Sequence, residues 1–172
     1  MTAAPAAPFR PILIGLVFAA AIVAADQASK TWVLESLLLA EIGKIELSAI
    51  FDLTYVRNYG VSFGLLKAGS GSERWLLVAL SVAISGLFFN WLRTAPRATT
   101  ALALGAVIGG AIGNMIDRIR YGYVVDFLDF SGFYFPWVFN VADAAITMGA
   151  IGLVLDYLVY GEGAPAAKKA SR

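Results

Sequence analysis

Two residue types are missing from this chain altogether: among its 172 residues there is no cysteine and no histidine. Without thiols there are no disulfides and no thiolate nucleophile. Without imidazole there is no Ser-His or Cys-His pair, and zinc sites built on either residue fall away. Charge is scarce as well, at 15% of residues, with 13 Lys and Arg set against 12 Asp and Glu for a net charge of +1. No long basic run occurs, so the chain lacks the electrostatic footprint of a nucleic-acid-binding protein. Nor is there an internal repeat of the kind on which many transporters are built. The groups left for chemistry are carboxylates, lysines, tyrosines and hydroxyls.

Apolar surface, by contrast, is abundant. Hydrophobic residues make up 59% of the chain and the mean hydropathy is +0.75, above an ordinary soluble domain. Four apolar stretches, at residues 11–33, 75–92, 99–116 and 141–160, are each about 18–23 residues long and so about 27–35 Å as helix, enough to cross the hydrocarbon. The expected architecture is a membrane all-α bundle of four transmembrane helices in a single domain over residues 1–172. The first stretch is interrupted near its far end by Asp26 and Lys30. Its apolar part follows Arg10 and ends in the small residues Ala24 and Ala25, the outline of a cleaved signal peptide. The single charge ahead of it favours a retained span.

Orientation is read from Lys and Arg in the short connections. Arg10, Arg93 and Arg97, and Lys168, Lys169 and Arg172 all fall on one side if there are four spans, so both termini are expected in the cytoplasm. The opposite side carries Lys44, Arg57, Lys67, Arg74, Arg118 and Arg120, which weakens the contrast. Trp32, Trp75 and Trp137 mark the outer boundary, and Trp91, Tyr157 and Tyr160 the inner one. Residues 44–66 alternate, are rich in β-branched and aromatic types, and contain Asn58-Tyr59-Gly60. They read as short strands around a turn, a small extracytoplasmic sheet. Residues 118–139 read as an extended, interface-hugging connection, and residues 161–172 as a disordered tail.

Ionisable groups at or inside a membrane are costly and point to function by default. Asn114, Asp117 and Arg118 stack on one helical face at i, i+3 and i+4, beside Gly109, Gly110 and Gly113, which allow close helix approach. A helix-end ion pair, with Asp117 orienting an arginine, accounts for this trio equally well. Asn140 and Asp143 have the spacing of a capping box. Asp126 sits in Val-Val-Asp-Phe, and a connection of about 16 residues is long enough to bring it back beside Asp143; alternatively it is a turn or strand-end aspartate. Two carboxylates in a partly dry site share one proton, the arrangement of an aspartic protease. Asp26 and Lys30 form an i, i+4 pair that either is a local salt bridge or supports the site. Asn58 and Gly60 form either a plain turn or an amide that holds a substrate backbone.

Five blocks occur in order: Asp26-Gln-Ala-Ser-Lys30, Asn58-Tyr-Gly60-Val-Ser-Phe63-Gly64, Gly109-Gly-Ala-Ile-Gly-Asn114-Met-Ile-Asp117-Arg118, Val124-Val-Asp126-Phe127 and Phe139-Asn140-Val-Ala-Asp143. In these the chain resembles the bacterial lipoprotein signal peptidases, or signal peptidase II. The resemblance implies that Asp126 and Asp143 are the catalytic pair. It also implies that Asn58, Asn114, Arg118 and Asn140 line the site, with Asp26 supporting them. Gly60, Lys30 and Asp117 are carried as supporting positions. The implied substrate is a prolipoprotein cut ahead of a diacylglyceryl-modified cysteine, with membrane lipid around it, cyclic peptides such as globomycin as inhibitors, and no metal or other cofactor. The implied setting is the bacterial inner membrane, with a monomeric enzyme whose site lies near the outer face and whose small sheet cradles the substrate. The rival readings are a proton-coupled transporter, which needs a polar path to the cytoplasmic face, and a scaffold whose acids only satisfy helix ends.

Overall fold

A computed structural model describes residues 11–60 and 71–161. Helix α1 (Pro11–Thr31) opens on proline, which suits a first helical turn because its missing N–H would be unpaired there anyway. It runs on through a π-helical turn, Trp32–Ser36, and the chain reverses at Leu38, whose φ of 49° is left-handed. Short helix α2 (Leu39–Ile42) follows, then strands β1 (Lys44–Glu46) and β2 (Asp52–Asn58). Helices α3 (Gly71–Leu92) and α4 (Ala98–Tyr121) come next, then β3 (Val124–Asp129), β4 (Val138–Phe139) and α5 (Val141–Tyr160).

Four of these helices are long and apolar enough to span a bilayer, α1 together with its π-turn, α3, α4 and α5. Leu13, Val17, Leu76, Leu87, Met148 and Leu158 turn more than half their surface outward, which is affordable only where the surroundings are lipid. Helix α4 is the exception: 72% of its apolar window is buried, against 11–17% for the other three. It packs along α1, α3 and α5, whereas α1 and α3 barely touch. Composition explains its place, because α4 is built largely from Ala and Gly and lets backbones approach closely. A Cβ on Gly109 would lie 2.7 Å from the Ala19 carbonyl of α1. At the end away from the sheet, Arg97 pairs with Asp156 at 2.8 Å, Thr99 and Thr100 donate to the same carboxylate, and the Arg97 guanidinium covers the Tyr160 ring.

The other end carries a four-stranded antiparallel sheet in the order β1-β2-β3-β4. Its first hairpin turns at residues 47–51, where the Ser48 hydroxyl accepts the N–H groups of Ile50 and Phe51. A turn does form at Asn58-Tyr59-Gly60, at the end of β2, where the Gly60 N–H donates to the Asn58 side-chain oxygen; the reversal that pairs β1 with β2 is a separate one at Ser48. Residues 61–66 of that expected segment, and the tail from 162 onward, lie outside the described residues. The connection expected over 118–139 is also more ordered than its sequence suggests: α4 runs on to Tyr121, and β3 is an inner strand paired on both sides. Helix α4 stops at Gly122, whose φ of +85° is left-handed and whose N–H bonds back to Arg118. Side chains alternate along β3. Val125 and Phe127 therefore enter a buried cluster with Val33, Leu39 and Leu53, and Asp126 faces the opposite way, toward the start of α5.

Candidate active site

Asn140 organises this region. It is the N-cap of α5, its side-chain oxygen accepting the Asp143 N–H at 2.9 Å while the Asp143 carboxylate accepts the Asn140 N–H at 3.3 Å. That is the capping box anticipated from sequence. The same side chain also donates through Nδ2 to Asp126 at 2.7 Å, to Asn114 Oδ1 at 3.1 Å and to the Val125 carbonyl at 3.3 Å. One fully buried asparagine thus touches both carboxylates, and the capping and site readings describe one structure. Asn114, on α4, closes the ring by donating to Asp143 Oδ1 at 2.7 Å.

Asp126 receives its second hydrogen bond from Asn58 Nδ2 at 2.9 Å. Asn58 pairs with Val124 and Val56 with Asp126 across β2 and β3, so the amide and the acid share a face one diagonal apart. The Asn58 oxygen accepts the Gly60 N–H at 2.9 Å. Its amide is therefore engaged within the protein on both sides. Gly60 adopts a φ of +103°, and a Cβ there would sit 2.5 Å from Leu77. Both the backbone angle and the space call for glycine.

Beneath the two acids lies a second polar layer, in which Asp26, Lys30 and Asp117 are buried and Gln27 half-buried. Lys30 bonds Asp26 at 2.9 Å and Asp117 at 2.8 Å, and reaches Asn114 Oδ1 at 3.3 Å. Gln27 donates to Asp117 at 2.9 Å and to Asp26 at 3.1 Å. The i, i+4 salt bridge between Asp26 and Lys30 exists, but as one edge of a network linking α1 and α4. Asp117 does not orient Arg118. It is turned to Lys30 and to the Val125 N–H, 3.0 Å away, because residues adjacent in a helix point about 100° apart. Arg118 donates only a long 3.4 Å bond to the Asn114 carbonyl. Its buried Nε has no partner among the described residues. Gln27 was quoted in the sequence without a role; its position next to Asp26 was the available signal.

Burial, and then the charge of Asp143, push the Asp126 carboxyl up to about 6, against the pull of the Asn58 and Asn140 hydrogen bonds and of Lys30. Asp143 lies in the first turn of α5, where the helix dipole favours negative charge. Among the described residues no three Cys, His, Asp or Glu side chains are grouped to hold a metal ion. Below the acids an apolar cleft of about 690 Å³ runs between α1, α4 and α5, from Val141 and Ala144 down to Asp156 and Tyr160.

Known proteins share this arrangement of helices and sheet. Over 91% of this chain and 94% of its own, a bacterial membrane enzyme determined by the in meso method at 2.3 Å superposes with a TM-score of 0.74 and 25% identity. A second, at 1.9 Å, covers 84% and 92% with a TM-score of 0.72 and 28% identity. The lipoprotein signal peptidase of Rhizorhabdus wittichii is 48% identical over 155 residues, 89% of each chain. That of Caulobacter vibrioides is 46% identical over 144 residues, 83% of this chain and 85% of its own. A family profile described as Signal peptidase (SPase) II matches residues 18–159, which takes in α3 and α4, most of α1 and α5, the sheet and every candidate residue named above. The chain therefore belongs to the signal peptidase II family of membrane-embedded peptidases.

Proposed function

We propose that this peptidase is an intramembrane aspartic endopeptidase that removes signal peptides from diacylglyceryl-modified prolipoproteins, cutting just ahead of the lipidated cysteine. The observation that carries the mechanism is the double contact of Asn140 with Asp126 and Asp143. It holds two carboxyls together in a mostly buried setting, where their close charges favour one shared proton. The proton rests on Asp126, the acid without a helix dipole, and Asp143 is the base. A water between them loses a proton to Asp143 as its oxygen attacks the scissile carbonyl carbon. Asp126 donates its proton to the carbonyl oxygen. As the tetrahedral intermediate collapses, one of its hydroxyls returns a proton to Asp126, the C–N bond breaks, and the proton now on Asp143 passes to the leaving amine. No covalent acyl-enzyme is required. Arg118, with its unpartnered Nε, is the cation for substrate carbonyl oxygens.

The sheet end faces away from the cytoplasm and both termini lie in it, in the inner membrane of a bacterium. The apolar cleft, lined by Val141 and Ala144 on either side of Asp143 in the chain, supports an occupant that is itself apolar, a signal helix or an acyl chain. The enzyme works as a monomer and binds cyclic peptides such as globomycin at the same place. A transporter would need a polar path through the bundle, and beneath the acids the cleft is apolar until Asp156.

Incubating the purified enzyme with a lipidated precursor and with its unlipidated form tests this reading. Cleavage of the lipidated form alone is expected. Cleavage of neither defeats the substrate assignment, and equal cleavage of both removes the lipid requirement. The pH profile supplies a further check. Because the pair must keep one proton, kcat/KM is expected to decline on the alkaline side, above the Asp126 pKa of about 6 in the free enzyme. Asn58→Ala deletes a hydrogen bond that favours ionised Asp126, raising that pKa and moving the alkaline limb up by about one pH unit. A limb that stays put or moves down contradicts this assignment of the proton.

A further inference from the structure

We infer that Lys30 is a positioning residue that sets the separation of the two catalytic aspartates, acting through Asp26 and Asp117 on the peptide group just before each one. This rests on the reading of Asp126 and Asp143 as the catalytic pair. The two arms are alike. Asp26 accepts the N–H of Ala142, the residue before Asp143, at 3.0 Å. Asp117 accepts the N–H of Val125, the residue before Asp126, at 3.0 Å. One ammonium joins the arms, at 2.9 Å to Asp26 and 2.8 Å to Asp117. Its third proton goes to Asn114 Oδ1 at 3.3 Å, and Asn114 in turn holds the Asp143 carboxylate. The three N–H donors of Lys30 therefore meet three acceptors, each of which leads to the pair.

Burial rules out a direct role, for Lys30 is 2% exposed and sits under the acids, where no substrate atom reaches it. The backbone donors are also the ones that matter geometrically. The Ala142 N–H belongs to the first turn of α5, where helical donors have no partner within the helix. The Val125 N–H lies in an inner strand of the sheet, one residue from Asp126. Strand β3 and helix α5 thus take their relative positions at this level from the one charged link between two carboxylates, the Lys30 ammonium, with the neutral Gln27 amide beside it. Removing the ammonium leaves two buried anions that repel, and the strand and helix that bear the acids move apart with them.

The experiment compares the intact enzyme with Lys30→Met, with the triple variant Lys30→Met, Asp26→Asn, Asp117→Asn, and with Asp143→Asn as a control, measuring kcat, KM and Tm of the purified membrane protein on a lipidated precursor. The asparagines keep oxygen acceptors for Ala142 and Val125 and remove the repulsion, and the tie left between the arms is then only the neutral Gln27 amide, without the ammonium. Lys30→Met is expected to lower both Tm and kcat. The triple variant is expected to regain Tm while kcat stays down by about 100-fold or more, with KM within about threefold, as a misplaced but intact pair requires. Recovery of kcat along with Tm makes Lys30 a purely stabilising residue and overturns the inference. If the triple variant does not regain Tm, the folded fraction of Lys30→Met decides: a loss in kcat supports positioning, and an unchanged kcat or a loss confined to KM overturns it. An active Asp143→Asn enzyme removes the catalytic pair itself. An inactive one beside a fully active Lys30→Met enzyme removes only the role given to Lys30.

Discussion

Asp126→Asn is expected to lower kcat by about 10³–10⁴-fold while making the protein more resistant to heat at pH 8. The loss follows from its place in the pair: an amide donates no proton to the carbonyl oxygen. The gain follows from linkage. In the folded protein the Asp126 carboxyl is raised from 3.8 to about 6, so the folded state holds this proton more tightly than the unfolded chain. Below pH 3.8 both states are protonated and the residue costs nothing. The penalty grows as pH climbs from there toward 6, and above 6 it is fully present, on the order of 3 kcal/mol. Asparagine avoids ionisation but presents an N–H₂ where Asn58 or Asn140 now donates, so the net gain is about 1–2 kcal/mol. Thermal unfolding followed at pH 8 and pH 4 reads this directly. A Tm that falls equally at both, or a variant that still cleaves, would show that Asp126 serves only to hold the fold.

The second large effect is expected one layer below. A Cβ on Gly113 would lie 2.6 Å from Asp26 Oδ2 and 3.3 Å from the Ala142 Cβ. Asp26 cannot swing aside cheaply, because Lys30, Gln27 and the Ala142 N–H all hold it. Gly113→Ala must therefore displace either the carboxylate or the start of α5, the turn that bears Asp143. Overpacking of this kind costs about 1–3 kcal/mol, and a shift of about 1 Å at Asp143 costs on the order of 100-fold in kcat. The measurement is a paired one, Tm and kcat on the same preparation. Loss of Tm with wild-type kcat in the folded fraction would mean that the strain is absorbed away from α5.

Much of this was legible beforehand, and for physical reasons. Four apolar runs about as long as the hydrocarbon is thick leave few alternatives to a helical bundle, and Asn-x-x-Asp before an apolar run marks a helix start. The strand nature of Val124–Asp129 was hidden because both faces are buried, so no polar and apolar alternation shows. The partner of Asp117 was hidden because Lys30 lies on another helix, and sequence spacing reports only neighbours on the same one. The turn at Asn58-Tyr59-Gly60 was legible, but the second task of Asn58, holding Asp126 from the neighbouring strand, was hidden because spacing does not report contacts across a sheet. In each case tertiary contact overrode a local signal.

Since α1 and α3 barely touch and both lean on α4, the order of synthesis matters to the cell. The first two spans enter the bilayer with no interface of their own and must wait for the third before either has a neighbour. Asp143 arrives only with the last span. On the proposed reading of Asp143 as half of the catalytic pair, hydrolytic competence coincides with completion of assembly.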